Sequence, residues 1–360
     1  VLVAIGDAFG DRAARALKNL QRQEEIVDQL EVEPDHLFTD FDNYRQVIDN
    51  VDVVVLATPP HFRPAQVEYA VETGTHSFVE KPVAVDAPGL KRIQAACERA
   101  KAKGLAVVSG LCWRYHPGVV ETMQRIQDGA IGDIISVQSA YNAGTLWHRG
   151  QNPEWSEMEY QLRNWLYYTW LSGDHIAEQA VHSLDKTAWL SQDAHPIRAT
   201  GMGGRQQRIE PKYGNVYDHH CVFYEYENGV RVFFTCRQQA KCTNFVDEIV
   251  LGTKGQAQIL ANTIEGESGS WKYEKDCPSM YQLEHDALFR SIREGNPINN
   301  GHYMCNSTMI AIMGRMATYT GQTLTWDECL ASEQVLGPTE YAWGDVAEAA
   351  VAIPGKTEFV

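Results

Sequence analysis

The chain reads as α/β in two parts: a doubly wound parallel sheet over residues 1–116, then an α+β half over 117–360 built on a large, mostly antiparallel open sheet. Three observations predict this. Apolar runs of strand length alternate with helical stretches as far as Gly110; from Asp133 onward apolar residues recur at every second position instead; and tight-turn signals such as Asn228-Gly229 and Thr253-Lys254-Gly255 join the later runs. A length of 360 residues also exceeds what one core ordinarily organises.

In order, Val1 to Gly6 reads as a buried strand closed by Asp7, and Ala14, Leu17, Leu20 and Ile26 keep helical spacing over 11–29. Phe38-Thr39 is a short strand, 43–48 a short helix, and Val51 to Leu56 an apolar run that predicts a strand buried on both faces. Ala57-Thr58-Pro59-Pro60-His61 stops that run, 64–73 is helical, Ser77 to Val79 is a strand, 87–103 a helix and 106–110 the last strand of the lobe. The first strand-turn-helix unit, with its glycine-rich turn, is expected upstream of Val1. In such a sheet an acid closing the second strand holds the ribose of a dinucleotide, which makes Asp7 a cofactor candidate. The same acid can simply cap a helix.

A helix over 119–127 leads through Gly129-Ala130-Ile131-Gly132 into the alternating strand 133–139, followed by others at 197–203, 221–227, 230–237, 246–252 and 256–260. Asn228-Gly229 is read as supplying two positive φ angles to a hairpin. Residues 281–294 and 307–320 are helical. The insertion at 147–190 holds Trp155, Tyr160, Trp165, Tyr167, Tyr168 and Trp170, a set that can stack on a sugar ring or fill a core. The tail from Val335 shows no periodicity and is expected to wrap over a neighbour.

Composition narrows the function. A formal charge of -16 argues against a nucleic-acid backbone as partner, no stretch has the apolar length of a membrane span, and the eight cysteines include no Cys-x-x-Cys pair that would suggest a zinc ribbon or disulfide framework. A small-molecule substrate fits better, and no metal site is expected.

Two stretches carry chemistry. In Phe78-Val79-Glu80-Lys81-Pro82 an apolar strand delivers Lys81 to the edge of the sheet, where open α/β sheets place ligands, and Pro82 restrains the lysine backbone. An isolated Glu-Lys-Pro would more often be a solvated strand end. The second stretch, Gly173 to Asp185, reads as one helix on which Asp174, Glu178, His182 and Asp185 recur at steps of four, four and three. An acid one turn before a histidine fixes its tautomer and raises its basicity, as a general base requires. A solvated stripe is the bland alternative, and a metal site ranks lower because no third ligand of matched spacing follows.

Together with Ala57-Thr58-Pro59-Pro60, Trp113-Arg114-Tyr115, Ile131-Gly132 and Gly252-Thr253-Lys254-Gly255, these stretches make the chain resemble the glucose-fructose oxidoreductase, inositol dehydrogenase and rhizopine-catabolism family, Gfo/Idh/MocA. The resemblance implies a nicotinamide-binding Rossmann domain and a C-terminal domain whose open sheet serves oligomer contacts, giving a dimer or tetramer. It implies catalytic roles for Lys81, His182 and, at the acid position, Glu178, where the family usually has aspartate. Cofactor contacts are implied for Asp7, Thr58, Pro59, His61, Glu80, Lys81, Trp113 and Arg114, and substrate contacts for Lys81, Trp165, Asp174, His175 and His182. The family histidine after the Thr-Pro turn falls on Arg63.

The leading expectation is an NAD-dependent sugar or polyol dehydrogenase, with NADP disfavoured because the Asp7 carboxylate repels a 2′-phosphate, although Arg12 and Arg15 stand nearby. Two others are a redox-mechanism glycosidase that keeps its NAD and a binding protein that has lost turnover. A bacterial source is expected, with cytoplasm and periplasm both open.

Overall fold

The computed structural model describes every residue except Ser268 and Glu348. Its first lobe alternates as the sequence predicts: β1 (Ile5–Gly6), α1 (Gly10–Leu20), β2 (Leu37–Phe38), α2 (Asn43–Ile48), β3 (Val53–Leu56), α3 (Arg63–Thr73), β4 (His76–Val79), α4 (Ala87–Ala102) and β5 (Val107–Ser109). Every pairing here is parallel, in two ladders, β1-β2 and β3-β4-β5. Parallel neighbours require a crossover, which the helices supply. Gly74, at φ 85, ends α3 in the left-handed conformation that suits glycine, and the Asp86 carboxylate caps α4 by accepting from Gly89 N at 2.8 Å.

Strand β3 departs from expectation. Val54 and Leu56 are buried in one cluster with Ile48 of α2 and Val67 and Val71 of α3, but Val55 is 55% exposed. Alternation along a strand sends Val55 to the opposite face, which those helices do not cover. The strand is therefore buried on one face.

The second half runs α5 (Pro117–Gln127), β6 (Ile134–Ala143), α6 (Glu157–Arg163), α7 (Thr169–Ser172), α8 (His175–Glu178), α9 (Val181–Leu190), β7 (Arg198–Gly204), β8 (His219–Glu225), β9 (Arg231–Gln238), β10 (Phe245–Gly252), β11 (Gly255–Gln258), β12 (Thr263–Gly266), β13 (Gly269–Lys272), α10 (Met280–Arg293), α11 (Gly301–Thr320), β14 (Leu324–Thr325) and α12 (Trp326–Ala331). Its strands form one sheet in the order β13-β12-β11-β10-β6-β9-β8-β7-β14. All pairs are antiparallel except β6 with β9. In the β8-β9 hairpin only Gly229 takes a positive φ, of 85. Tyr226 N donates to Val230 O at 3.0 Å, closing a three-residue loop with glycine in the left-handed position in place of the expected two-residue turn.

Helices α9 and α11 cover one face of this sheet. Met304 to Ala317 of α11 is buried almost all round, and one apolar cluster runs from α4 through α11 to the inward residues of β8 and β9. The second half also completes the first sheet. Val107 N donates to Ile298 O and Asn300 N to Val107 O, both at 2.9 Å, adding residues 298–300 to the free edge of β5. The two lobes are thereby fixed against each other.

The aromatic insertion forms a separate cluster in which Met158, Leu162, Leu166, Tyr167, Tyr168 and Trp170 pack with Phe9, and Phe41 and Phe62 lie against them. The tail folds back on its own chain. Trp343 lies 4.6 Å from Phe41 and 5.5 Å from Phe9 between ring centroids, its indole N–H donates to Asp40 at 3.0 Å, and Leu336 N donates to Asp86 at 3.1 Å. Aromatic rings on the lobe's loop ends give it an apolar seat within the same molecule, where a neighbour had been expected.

Candidate active site

The carboxyl ends of β3 and β4 are tied together by one buried side chain. Arg63 Nη2 donates to Thr58 O at 2.6 Å and Nη1 to Pro82 O at 2.5 Å. A guanidinium fork is the side chain suited to two such acceptors. Burial pushes its pKa down to about 10, leaving it charged at neutral pH. Thr58 Oγ1 donates to Gln66 at 2.6 Å, and the Lys81-Pro82 bond is cis. Lys81 leaves this turn toward the second half, where its ammonium donates to the backbone oxygen of Glu178 at 2.7 Å and to Glu178 Oε1 at 3.2 Å. The side chains of Lys81 and Glu178 are 16% and 14% exposed, so the pair sits at the rim of the interior. An ammonium has three donors, and one remains.

The segment that supplies Glu178 is not the single helix that the spacing predicts. Gly173 at φ 76 and Asp174 at φ 68 turn the chain sharply, α8 is one turn long, and α9 begins only after Gln179 and Ala180. The four-residue stripe therefore does not form. Among the described residues no hydrogen bond joins Glu178 to His182; Glu178 orients Lys81 instead. His182 Nδ1 is buried and has no hydrogen-bond partner among the described residues. Burial, then the Lys81 and Lys186 ammoniums, hold this imidazole well below its usual pKa, so it is neutral and able to take a proton.

Asp174 and His175, expected to contact substrate, are 0% and 4% exposed. Asp174 accepts from His175 Nδ1 and Tyr217 N at 2.8 Å and from Tyr319 Oη at 2.5 Å, with His220 Nε2 at 3.4 Å. A carboxylate turned inward by a positive φ must find such partners, and once they are made it has nothing to offer a ligand. His220 is the third ligand type that the spacing did not reveal, and the donor atoms of Asp174, His175 and His220 lie within 4.8 Å of one another. Arg208 Nη2 lies 3.4 Å from His175 Nδ1 in the same network, a cationic neighbour that disfavours a metal ion there. Asp185, last of the expected stripe, is bound to Arg114 at 2.8 Å.

Arg114 is likewise committed. It pairs with Asp185 and Asp193 and lies 4.0 Å from the Tyr303 ring centroid, which makes it a clamp between lobes and leaves its fork no free face for a cofactor. Trp113 stands partly exposed beside it, its ring 5.2 Å from the Lys186 ammonium. His61 Nε2 is 2.8 Å from Tyr341 Oη, and burial pushes its pKa down to about 4. Trp165 lies against Trp147 in the insertion cluster, centroids 6.3 Å apart.

Several charged residues at this site were missed from sequence. Lys186 and Glu248, both 0% exposed, pair at 3.3 Å, and Lys186 also donates to the His182 carbonyl at 3.2 Å. Burial pushes Glu248 up to about 7. Glu284 of α10 is 2% exposed, has no partner for Oε2 among the described residues, and is pushed up to about 8 by burial and then by Glu80. Alternation places Glu248 on the inward face with Val250, and a four-residue step places Glu284 with Leu288. A charge on a buried stripe was the available signal.

The residues at this sheet edge fit a dinucleotide in their chemistry. Asp7 spends Oδ1 on Phe9 N at 2.9 Å and among the described residues keeps its other oxygen free, the Thr58-Pro59 turn and the Glu80-Lys81 turn close adjacent parallel strands, and Lys81 retains a donor not taken up by any described residue. Ligands of open α/β sheets bind at this edge. Tyr341 and Trp343 of the tail cover part of the same rim.

Comparison with known proteins agrees in fold. Residues 5–109 match the GFO_IDH_MocA model, described as an oxidoreductase family with an NAD-binding Rossmann fold, and 119–258 match the GFO/IDH/MocA C-terminal domain. The chain is 27% identical over 212 residues to 2,7-anhydro-N-acetylneuraminate hydratase of Escherichia coli, 58% of this chain and 51% of that protein. It is 27% identical over 223 residues to inositol 2-dehydrogenase/D-chiro-inositol 3-dehydrogenase of Halalkalibacterium halodurans, 61% and 56% of the two. The matches thus span about half the length of these relatives. A levoglucosan dehydrogenase solved in complex with NADH superposes with a TM-score of 0.69 at 19% identity, over 90% of each chain.

Proposed function

This chain belongs to the Gfo/Idh/MocA oxidoreductase family, and from that premise we propose that it is an NAD-dependent dehydrogenase acting on a hydroxyl of a sugar or polyol. The observation that carries the reading is the meeting of Lys81, from the end of β4, with Glu178 at the break between α8 and α9, next to a neutral His182. His182 takes the hydroxyl proton at a ring nitrogen. Lys81, held by the backbone oxygen and Oε1 of Glu178, directs its remaining N–H at the substrate oxygen and stabilises the negative charge that grows there. Glu178 sets the direction of that N–H. A bound nicotinamide supplies the hydride acceptor. Asp7, Thr58, Pro59, Glu80 and Trp113 are the residues that would hold it, and the free Asp7 oxygen favours NAD over NADP.

Relatives named as inositol and levoglucosan dehydrogenases support a cyclic polyol or sugar as substrate. The lobe division at 116/117 is proposed as functional, cofactor contacts on one side and His182 and Glu178 on the other. The uncovered sheet face, with Met202 64%, Phe223 37% and Phe233 44% exposed, is the proposed homo-oligomer contact. The test is to supply purified protein with NAD and a panel of polyols and sugars and to follow reduced cofactor. Turnover of at least one member is expected; cofactor binding with no reduction by any member overturns the reading.

A further inference from the structure

A relay of hydrogen bonds behind the site fixes the polarity of one more side chain. Arg208 is 2% exposed, and its guanidinium can only donate. Its Nη2 is anchored on Tyr217 O, and its Nη1 donates to Gln238 Oε1 at 2.6 Å. That contact sets the Gln238 amide, because the oxygen must face the arginine and the NH2 must face away. The NH2 donates to Gln179 Oε1 at 2.8 Å. The Gln179 amide is set in the same sense, oxygen inward and NH2 outward.

Gln179 is partly exposed and directly follows Glu178, at the break that separates the partner of Lys81 from His182. Its Nε2 donates to nothing among the described residues, and it is not enclosed with the buried unpaired atoms. Gln238 is 3% exposed and reaches the site only through Gln179. The arrangement leaves one donor without an acceptor among the described residues, on the residue next to Glu178, and spends two buried side chains on its direction.

We propose that Gln179 is a specificity-determining residue of the site, donating its outward N–H to a second oxygen of the sugar or polyol, with that polarity imposed by Arg208 through Gln238. The inference rests on the dehydrogenase reading above. It selects substrates that place an acceptor oxygen there, such as a vicinal diol, and disfavours deoxy analogues and those with an ammonium at that carbon. Sites that lose a paired donor to substrate reject the altered partner strongly, because the remaining group is left unpaired.

Three variants test it, with steady-state kinetics on the polyol that wild-type protein turns over. Gln179→Ala removes the donor. Gln179→Glu keeps the shape and the acceptor for Gln238 but turns the outward group into an acceptor. Gln238→Glu leaves the substrate surface untouched; its carboxylate still meets Arg208 but cannot donate, so the Gln179 amide must turn over. Each is expected to raise KM by ~10-fold or more with kcat within ~3-fold and the unfolding midpoint little changed. The vicinal deoxy analogue should lose ~10-fold in kcat/KM on wild-type protein and far less on Gln179→Ala. Wild-type inactivity on the whole panel would defeat the dehydrogenase reading and this inference with it. An active wild type with Gln238→Glu at unchanged KM would defeat the inference alone.

Discussion

Replacing Glu284 by glutamine gives the most quantitative test of the electrostatics around Lys81. Glu284 sits 2% exposed on α10, with Oε2 unpaired among the described residues and Glu80 as its charged neighbour. A carboxyl moved from 4.5 to about 8 is protonated in the folded protein while the unfolded chain already ionises it. The folded state therefore binds the extra proton between these values, and stability falls as pH rises from 4.5 through 8. At roughly 1.4 kcal/mol per unit, the full loss approaches 4 to 5 kcal/mol. Glutamine is neutral throughout and removes this loss, but brings an amide N–H without an acceptor, at a cost of about 1–2 kcal/mol. The variant should be less stable than wild type at pH 5 and more stable by about 3 kcal/mol at pH 9, with a crossing between. Unfolding midpoints by urea at pH 5, 7 and 9 measure this. Parallel curves for the two proteins would refute the placement of a protonated Glu284 beside Glu80.

Arg114→Ala strands Asp185 and Asp193, the first 1% exposed, and should cost about 3–5 kcal/mol in unfolding free energy; an unchanged midpoint would show that the interlobe clamp carries no stability. At Gly110 an added Cβ would lie 2.7 Å from Glu80 Oε2 and 3.3 Å from Glu80 Cα. Gly110→Ala should therefore push the Glu80-Lys81 turn aside and cut kcat ~10-fold or more with a small change in midpoint, and full activity would contradict that contact. Because His182 is held well below its usual range, the acid limb of kcat/KM should fall clearly below the ordinary histidine value of about 6.5. A limb centred at or above that value, and shifted by His182→Asn, would mean that the imidazole is not shielded as the structure has it.

Much of the fold was legible because it rests on local periodicity. Alternating strand and helix gave the first lobe, two-residue alternation gave the central strands of the second, and Pro82 marked where the lysine strand stops. What escaped depends on contacts distant in sequence or on single backbone angles. Acids and a histidine at steps of four describe a helical stripe only if the helix is unbroken, and Gly173 and Asp174 break its start by taking positive φ. A Cβ on Gly173 would also crowd Ala177 Cβ at 3.0 Å, which adds to the preference for glycine there. Nearness in the chain pairs Glu178 with His182, whereas Lys81, 97 residues earlier, takes it. Arg114 meets Asp185 across 71 positions, a pairing that motif spacing cannot report. The tail, lacking any period, is held by Phe9, Phe41 and Asp40, which no pattern within the tail encodes.

Whether Lys81, steered by Glu178, acts on the substrate oxygen in the chemical step is decided by single-turnover hydride transfer in Lys81→Met at saturating NAD and substrate. A fall of ~100-fold or more in the rate of cofactor reduction is expected, with the equilibrium affinity for NAD within a few fold of wild type. A reduction rate equal to wild type under saturation would contradict it.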